Sequence, residues 1–156
     1  EGVSELDNLI DADSTPVLDG NRIYAVNFQG NLSVFDSAQR RAVWESKESS
    51  FYEPFILRGV LGIISADSKI STYSSRTFED SWKQEEYALR ELSNPETFKG
   101  HILVGDLEGY IHALDPLTGI TVARKKISRN KIITLVSRSD SFYAIDEKMK
   151  LFSLSF

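Results

Sequence analysis

The chain has 156 residues, of which 41% are hydrophobic and 26% are charged, as is typical of one globular domain with a sizeable core. It contains no cysteine, which excludes disulfides and thiolate metal sites, and its net charge of −5 argues against binding to nucleic acid or anionic lipid. No apolar run is long enough for a membrane helix, and no signal-peptide pattern is present. Because the chain does not begin with Met, we expect Glu1 to start a mature form or an excised fragment.

The first predicted element is a β-hairpin whose two strands alternate apolar with polar or small residues. Its strands cover 23–27 and 32–36, and their first residues lie nine apart, with a tight turn between them at 28–30. A further strand is predicted before the hairpin, starting at Pro16, and another after it, containing Trp44. These four strands, called first to fourth in chain order, form one predicted unit.

The same arrangement recurs three times, at a period near 40 residues. Pro54 and Pro95 precede the next two hairpins as Pro16 precedes the first, and Leu135 holds that place in the last unit. Equivalent residues at the ends of the third strands are 36, 74, 115 and 155, which are spaced by 38, 41 and 40. The predicted units cover approximately 14–46, 53–84, 94–126 and 132–155. Four strands per unit at this period are typical of the blades of a β-propeller.

The fourth strand distinguishes the units from one another. Trp44 and Trp82 each lie eight residues after the end of the third strand, whereas Ala123 holds that position in the third unit. The last unit has no fourth strand, because the chain ends just after its third. We therefore predict an all-β fold of four antiparallel four-stranded blades, the last lacking its outer strand, with a β-sandwich as the alternative. Residues 84–92 favour helix, but they are few and lie between two units, so they predict a loop with one helical turn.

The incomplete last blade leaves two arrangements open. Four blades could close into a ring if the segment 1–10 supplied the missing strand, although Glu5, Asp7 and Asn8 interrupt its alternation. Alternatively, the chain forms half of an eight-bladed propeller, whose exposed apolar flanks a second copy would cover across a two-fold axis. We predict the second arrangement, and with it a homodimer that completes an eight-bladed ring.

The units resemble the blades of the pyrroloquinoline-quinone-type propeller family, whose signature is Ala-x-Asp-x-x-Thr-Gly followed by a Trp. Residues 113–119, Ala-Leu-Asp-Pro-Leu-Thr-Gly, match it apart from the Trp, and Asp36 with Trp44 matches the rest. In the family, the Asp, Thr and Gly form the turn between third and fourth strands, and the Trp packs between blades. The resemblance therefore implies structural roles for Trp44, Trp82, Asp36, Asp115, Thr118 and Gly119.

Within that family the chain resembles the BamB lipoproteins, which belong to the complex that assembles β-barrels in bacterial outer membranes. The matching stretches are 11–17, 30–32 and 104–112, and the likeness covers essentially the whole chain as the C-terminal half of an eight-bladed protein. It implies a natural C-terminus, and a lipid anchor and about four further blades ahead of Glu1. It also implies a location at the periplasmic face of the outer membrane.

The same resemblance implies a non-catalytic scaffold with protein partners. BamB-like proteins bind the periplasmic POTRA domains of the barrel subunit BamA, and unfolded outer-membrane proteins are further candidate partners. In the family an Asp-x-Asp pair just before Thr-Pro contributes to the contact with BamA, and Asp11 and Asp13 hold those positions. The family's other main contact segment would lie in the part that precedes this chain.

The residues themselves predict an acidic face. In a propeller, the loops between blades share one face with the turns between second and third strands, and in this chain they carry many acids: Glu48, Glu53, Asp67, Glu85, Glu86, Glu91, Asp106, Glu108, Asp146 and Glu147. Such a face would attract a basic partner, although Arg129, Lys131 and Lys148 interrupt it. For any single acid a turn-forming role is the favoured explanation, and the resemblance reverses this only for Asp11 with Asp13. Phe51 and Tyr52 are candidate anchors for a partner, but such aromatic residues more often pack over the neighbouring blade.

No residue pattern predicts an enzyme. His101 and His112 lack the spacing of a metal pair, and no nucleophile elbow or phosphate loop is present. We therefore predict no catalytic residue, no metal and no cofactor, with Asp115 acting as a turn former rather than a general base. The alternative is a fragment of a quinoprotein-type dehydrogenase or a ligand-sensing propeller.

Overall fold

A computed structural model describes residues 14–26 and 30–155, and the regular elements within those residues are β-strands. The strands form four small antiparallel sheets that follow one another around a ring in a propeller-like arrangement. In this part of the chain, no helix is long and apolar enough to cross a membrane. The predicted all-β class and the blade-like sheets are therefore confirmed.

Each sheet is a meander of strands that are consecutive in the sequence. Sheet one contains β1 (Val17–Asp19), β2 (Arg22–Val26), β3 (Leu32–Asp36) and β4 (Arg41–Ser46). Sheet two contains β5 (Phe55–Leu57), β6 (Val60–Ile64), β7 (Ile70–Ser74) and β8 (Asp80–Gln84). Sheet three contains β9 (Glu96–Phe98), β10 (His101–Gly105), β11 (Tyr110–Leu114) and β12 (Thr121–Lys126). Sheet four contains β13 (Ile132–Arg138), β14 (Ser141–Asp146) and β15 (Leu151–Leu154).

The second and third strands of every sheet pair in the same register. Partners twelve residues apart face each other in all four sheets: Ile23 with Phe35, Leu61 with Tyr73, Ile102 with Leu114, and Phe142 with Leu154. In the three sheets that have a fourth strand, its pairing with the third shifts register at the same place. The sheets are therefore copies of one plan, and residues that are equivalent in sequence are equivalent in space.

Proline marks the start of three sheets. Pro16, Pro54 and Pro95 stand directly before β1, β5 and β9, where a missing N–H removes no ladder hydrogen bond. Leu135 instead lies inside β13, which is seven residues long and starts before it. The predicted turn at 28–30 lies mostly outside the described residues, because residues 27–29 are not among them.

The segment between β8 and β9, predicted as a loop with one helical turn, contains two short turns and no helix. Ala88 N donates to Glu85 O at 3.0 Å, and Arg90 N donates to Tyr87 O at 2.9 Å. The side chains of Tyr87 and Leu92 are buried between sheets two and three. Packing of these two side chains, rather than helix propensity, decides the shape of the segment.

Apolar side chains form three clusters, one at each contact between neighbouring sheets. The first interface, between sheets one and two, buries Tyr24, Val26, Leu32, Val34, Leu61, Ile63 and Tyr73. The second, between sheets two and three, buries Phe55, Ile64, Ile70, Tyr87, Leu92, Ile102, Val104 and Leu114. The third, between sheets three and four, buries Phe98, Leu103, Ile111, Ala113, Ile132, Leu135, Phe142 and Ala144. Each sheet is too small to bury its own faces, so the neighbouring sheet stabilises it.

Candidate protein-binding face

The loops between sheets meet the turns between second and third strands at one end of the molecule. Leu89 N donates to Asp67 O at 2.9 Å, and Leu107 N donates to Arg90 O at 3.0 Å. The loop between sheets two and three is therefore held to a turn of each. We call this end the loop face, which comprises residues 47–54, 65–69, 85–95, 106–109, 127–131 and 146–150.

Asp106 begins the turn between β10 and β11, and its carboxylate is fully buried. One oxygen accepts hydrogen bonds from His112 Nε2 at 2.7 Å and from Arg90 Nη2 and Nε at 2.7 and 3.1 Å. The backbone N–H groups of Glu108 and Tyr110 donate to the other oxygen at 2.9 and 3.0 Å. Burial raises the pKa of Asp106, but the hydrogen bonds from His112 and Arg90 outweigh it, so the pKa is lowered. Asp106 therefore clamps the loop to the turn and is not available to a partner.

Asp146 holds the same place in sheet four and is also buried. It accepts hydrogen bonds from the Ser128 hydroxyl at 2.7 Å and the Asn130 amide at 3.2 Å. The backbone N–H groups of Lys148 and Lys150 both donate to it at 3.0 Å. These bonds, that of Ser128 foremost, lower the pKa of Asp146 to about 2 against the opposing effect of burial. The loop between sheets three and four is therefore clamped by uncharged donors.

Sheet two uses a serine where the next two sheets use these aspartates. Ser65 Oγ accepts from Lys69 N at 3.2 Å, in the same turn position, and donates to Asp67. The Ser65 bond is the largest cause that lowers the pKa of Asp67, which is exposed and pairs with Lys69 Nζ at 3.1 Å. Asp67 is thus a surface acid, whereas Asp106 is an internal one.

The predicted acidic face is only partly acidic. Asp106 and Asp146 are buried, and ion pairs join Glu108 to Arg90 at 2.6 Å and Glu91 to Lys131 at 2.7 Å. The exposed acids of the face are Glu53, Asp67, Glu85, Glu86, Glu91, Glu108 and Glu147. They lie mainly on sheets two and three. Of the exposed cations of the face, Arg129, Lys148 and Lys150 lie beside sheet four, and Lys47 follows sheet one.

Exposed apolar side chains also lie on the loop face, and most of them were not predicted from the sequence. Leu89 is 79% exposed and Met149 is 74% exposed, and Phe51 and Leu107 are exposed as well. Leu89 has a φ of 62°, in the left-handed region that non-glycine residues rarely adopt. Tyr52 packs over the second interface, as favoured from the sequence. Its hydroxyl donates at 2.9 Å to the carbonyl of Leu92, in the loop between sheets two and three. No alternation of residue types could have revealed the leucines or the methionine.

The turn aspartates implied by the resemblance lie at the opposite end of the sheets. Asp115 Oδ1 accepts from Leu117 N at 3.0 Å and from Thr118 N and Oγ1 at 2.9 and 3.0 Å. The Thr118 hydroxyl is the largest cause that lowers the pKa of Asp115. Asp36 accepts from two backbone N–H groups of its own turn, each at 2.9 Å. Both carboxylates close the turn between third and fourth strands.

The two tryptophans join each sheet to that turn in the next sheet. Trp82 Nε1 donates to Pro116 O at 2.8 Å, and its ring lies against Gly119. Gly119 has a φ of 72°, and a side chain there would collide with the indole. The Trp44 ring stacks on Phe78 with 5.2 Å between ring centroids.

The remaining residues singled out in the sequence are two aspartates and two histidines. Asp11 and Asp13 precede residue 14 and lie outside the described residues, so their role stays a prediction. Between 14 and 26 and between 30 and 155, no three His, Cys, Asp or Glu side chains are grouped to hold a metal ion. His112 binds Asp106, and His101 Nδ1 lies 3.1 Å from the carbonyl of Lys99 at the other end of the sheets.

The family model described as "Outer membrane protein assembly factor BamB" matches residues 1–84. A curated relative of that name from Marinobacter adhaerens is 32% identical over 126 residues, which are 81% of this chain and 32% of the relative. A second, from Shewanella oneidensis, is 32% identical over 133 residues, which are 85% of this chain and 34% of the relative. The chain therefore spans about a third of the length of the curated relatives it matches.

Solved structures agree with these matches. The crystal structure of BamB from Moraxella catarrhalis superposes with a TM-score of 0.87 and 27% identity, over 99% of this chain and 46% of that one. Since the family model covers more than half of the residues, and relatives and a solved structure carry the same name, the chain belongs to the BamB family of outer membrane protein assembly factors.

Proposed function

We propose that this chain is a non-catalytic, protein-binding scaffold that acts in the assembly and insertion of outer-membrane β-barrel proteins. The observation that carries the proposal is membership of the BamB family, whose curated relatives are named as assembly factors. Its place of action is the periplasmic face of the outer membrane. Its partner is the set of POTRA domains of BamA, and unfolded outer-membrane proteins are a second class of candidate partner.

The loop face is the surface that we assign to this partner. It combines exposed apolar side chains, Leu89 and Leu107 among them, with exposed carboxylates on the same loops. Apolar anchors surrounded by polar groups are the usual anatomy of a protein interface, and the carboxylates would speed encounter with a basic surface. Asp11 and Asp13 would extend this contact.

We also propose that the chain is half of an eight-bladed ring, with blades at 14–46, 53–84, 94–126 and 132–155. In support, 99% of the chain superposes on only 46% of the Moraxella protein. Two copies related by a two-fold axis would cover the outer flanks of sheets one and four. Sedimentation equilibrium is expected to give a dimer mass at micromolar concentration, and a stable monomer would contradict this arrangement.

The partner is tested by titrating purified POTRA domains of BamA into the chain by calorimetry. The double variant Asp11→Lys, Asp13→Lys and the single variant Leu89→Glu are each expected to weaken binding by about tenfold or more, which corresponds to about 1.4 kcal/mol. Both changes lie at exposed or terminal positions, so circular dichroism should show unchanged folding.

Matched controls lie at the opposite end of the sheets. Asp140→Lys repeats the charge reversal in the turn between β13 and β14, and Leu117→Glu repeats the apolar change on an exposed side chain in the turn between β11 and β12. Both controls should bind as the unchanged chain does. If test and control variants weaken binding equally, the loop face is not the contact surface. If the unchanged chain does not bind, the POTRA domains of BamA are not its partner.

A further inference from the structure

The position that holds an indole at the first two interfaces holds Ala123 at the third. Trp44 and Ala123 both pair with the residue two before the turn aspartate of their sheet. Trp82 holds the same place in sheet two, where its backbone N–H donates to Thr72 Oγ1 at 2.9 Å. The three fourth strands therefore present the same position toward the next sheet, but only two of them fill it with a ring.

Each indole packs beside the third strand of the next sheet. Trp44 contacts Tyr73 edge-on, with 4.8 Å between ring centroids, and Trp82 packs against the cluster that contains Leu114. Leu154 is the equivalent of these two residues in sheet four, because all three pair with the residue twelve earlier. An indole at position 123 would therefore meet Leu154.

A cavity lies at that place in the third interface. Its volume is about 280 Å³, and the apolar side chains of Ile111, Phe142 and Leu154 line it together with the exposed Ala123. An apolar cavity of about 150 Å³ is sufficient to hold benzene, so this one has room for a bicyclic ring. We call it the third-interface slot.

Cations line one side of the third-interface slot. Lys125 lies two residues after Ala123, on the same face of β12. Arg124 also lines the slot, but it pairs with His112 and its guanidinium lies over the Tyr110 ring, 5.7 Å from the ring centroid. They belong to a basic part of an acidic chain, since residues 121–150 contain eight Lys or Arg and three Asp or Glu. A negative group at the mouth of the slot would be stabilised by these side chains.

We propose that the third-interface slot binds a planar bicyclic aromatic ligand that carries a carboxylate, of the indole-carboxylate class. The ring takes the place that Trp44 and Trp82 fill at the other interfaces, and the carboxylate pairs with Lys125. The slot lies between the outer strands of sheets three and four rather than on the loop face. It therefore stands independently of the proposed scaffold function.

Indole-3-propionate, titrated into the 156-residue chain, tests this site. Calorimetry is expected to show saturable one-to-one binding, and NMR is expected to shift the methyl signals of Ala123 and Leu154. Ala123→Trp fills the slot and should weaken binding at least about tenfold. The matched control is Val122→Trp, which adds the same ring at the adjacent position, where the side chain is 53% exposed and does not line the slot, and should leave affinity unchanged.

The charge requirement is tested separately. Lys125→Gln should weaken indole-3-propionate about threefold to tenfold while leaving the affinity for uncharged 3-methylindole unchanged. Absence of saturable binding to the unchanged chain overturns the proposal, as do shifts that map away from the slot or equal affinities for the unchanged chain and Ala123→Trp. If Ala123→Trp does not fold, the site is tested by the NMR shifts that indole-3-propionate causes in the unchanged chain and by the affinities of Lys125→Gln.

Discussion

The second and third interfaces join sheets of the same plan, but different groups hold them together. At the second interface Trp82 fills the interblade position, and the guanidinium of Arg90 binds the buried carboxylate of Asp106. At the third, Ala123 leaves a cavity, and the hydroxyl of Ser128 takes the place of the guanidinium as donor to Asp146. The main chain is nevertheless arranged alike at both.

This difference separates two requirements of a repeated fold. Each buried turn carboxylate keeps a full set of donors at both interfaces, whatever their charge, because an unsatisfied buried carboxylate is strongly destabilising. Complete filling of the apolar space is not required in the same way, since the indole is absent from the third interface and its two sheets still pack. Four changes test this separation, the largest effect first.

Trp82→Ala is expected to have the largest effect, a loss of about 3 kcal/mol in the free energy of unfolding. It opens a cavity in the second interface and leaves the carbonyl of Pro116 without its indole donor. Urea denaturation followed by circular dichroism measures the loss. Trp82→Phe, which keeps a ring but no N–H, should lose less, and an unchanged midpoint for Trp82→Ala would contradict the importance of the indole.

Asp106→Asn is expected to lower the free energy of unfolding by about 2 kcal/mol, because it leaves the Arg90 guanidinium without its buried partner. Asp146 accepts hydrogen bonds from uncharged donors, so Asp146→Asn leaves no buried cation without a partner and should lower the free energy of unfolding less. The same urea titration compares the two. Equal losses would show that the charge of Arg90 adds nothing to the second interface.

Acid should weaken both clamps. The pKa of Asp146 is lowered to about 2 and that of Asp106 is lowered as well, whereas an unfolded Asp has a pKa of about 3.9. The folded chain therefore binds fewer protons, and this stabilisation is fully present above about pH 4 and is lost as the pH falls toward about 2. Unfolding free energies at several pH values between 5 and 2 should decline less steeply for Asp146→Asn. Parallel curves would contradict the assignment.

Ala123→Trp should give the smallest effect, and one of opposite sign. The indole would bury apolar surface in the third-interface slot and raise the free energy of unfolding by about 1 kcal/mol. Val122→Trp, at the adjacent exposed position that does not line the slot, should change it little. Thermal and urea unfolding give the comparison, and a loss of stability in Ala123→Trp would show that the slot does not have the shape of the other two.

The period of the fold is readable in the sequence because it rests on local chemistry. Three features act within one unit: the alternation of the strands, a proline directly before the first strand, as at Pro16, and the spacing from each turn to Trp44 or Trp82. The absence of a ring at Ala123 was visible for the same reason. The turn role of Asp115 was likewise implied by a short pattern, Asp-x-x-Thr-Gly, whose partners lie within three residues.

Burial in the loops was decided only by the tertiary structure. Asp67 and Asp106 are both acids of a second-to-third-strand turn, yet the first is exposed and the second is not. They hold different places in their turns, since Ser65 is the equivalent of Asp106. The buried carboxylate of Asp106 is bound by Arg90, which is 16 residues away and reaches it from another loop. The exposure of Leu89 depends likewise on a left-handed backbone in that loop. Local patterns thus determine the sheets, whereas donors and volumes brought together from separate units determine which side chains remain for a partner or a ligand.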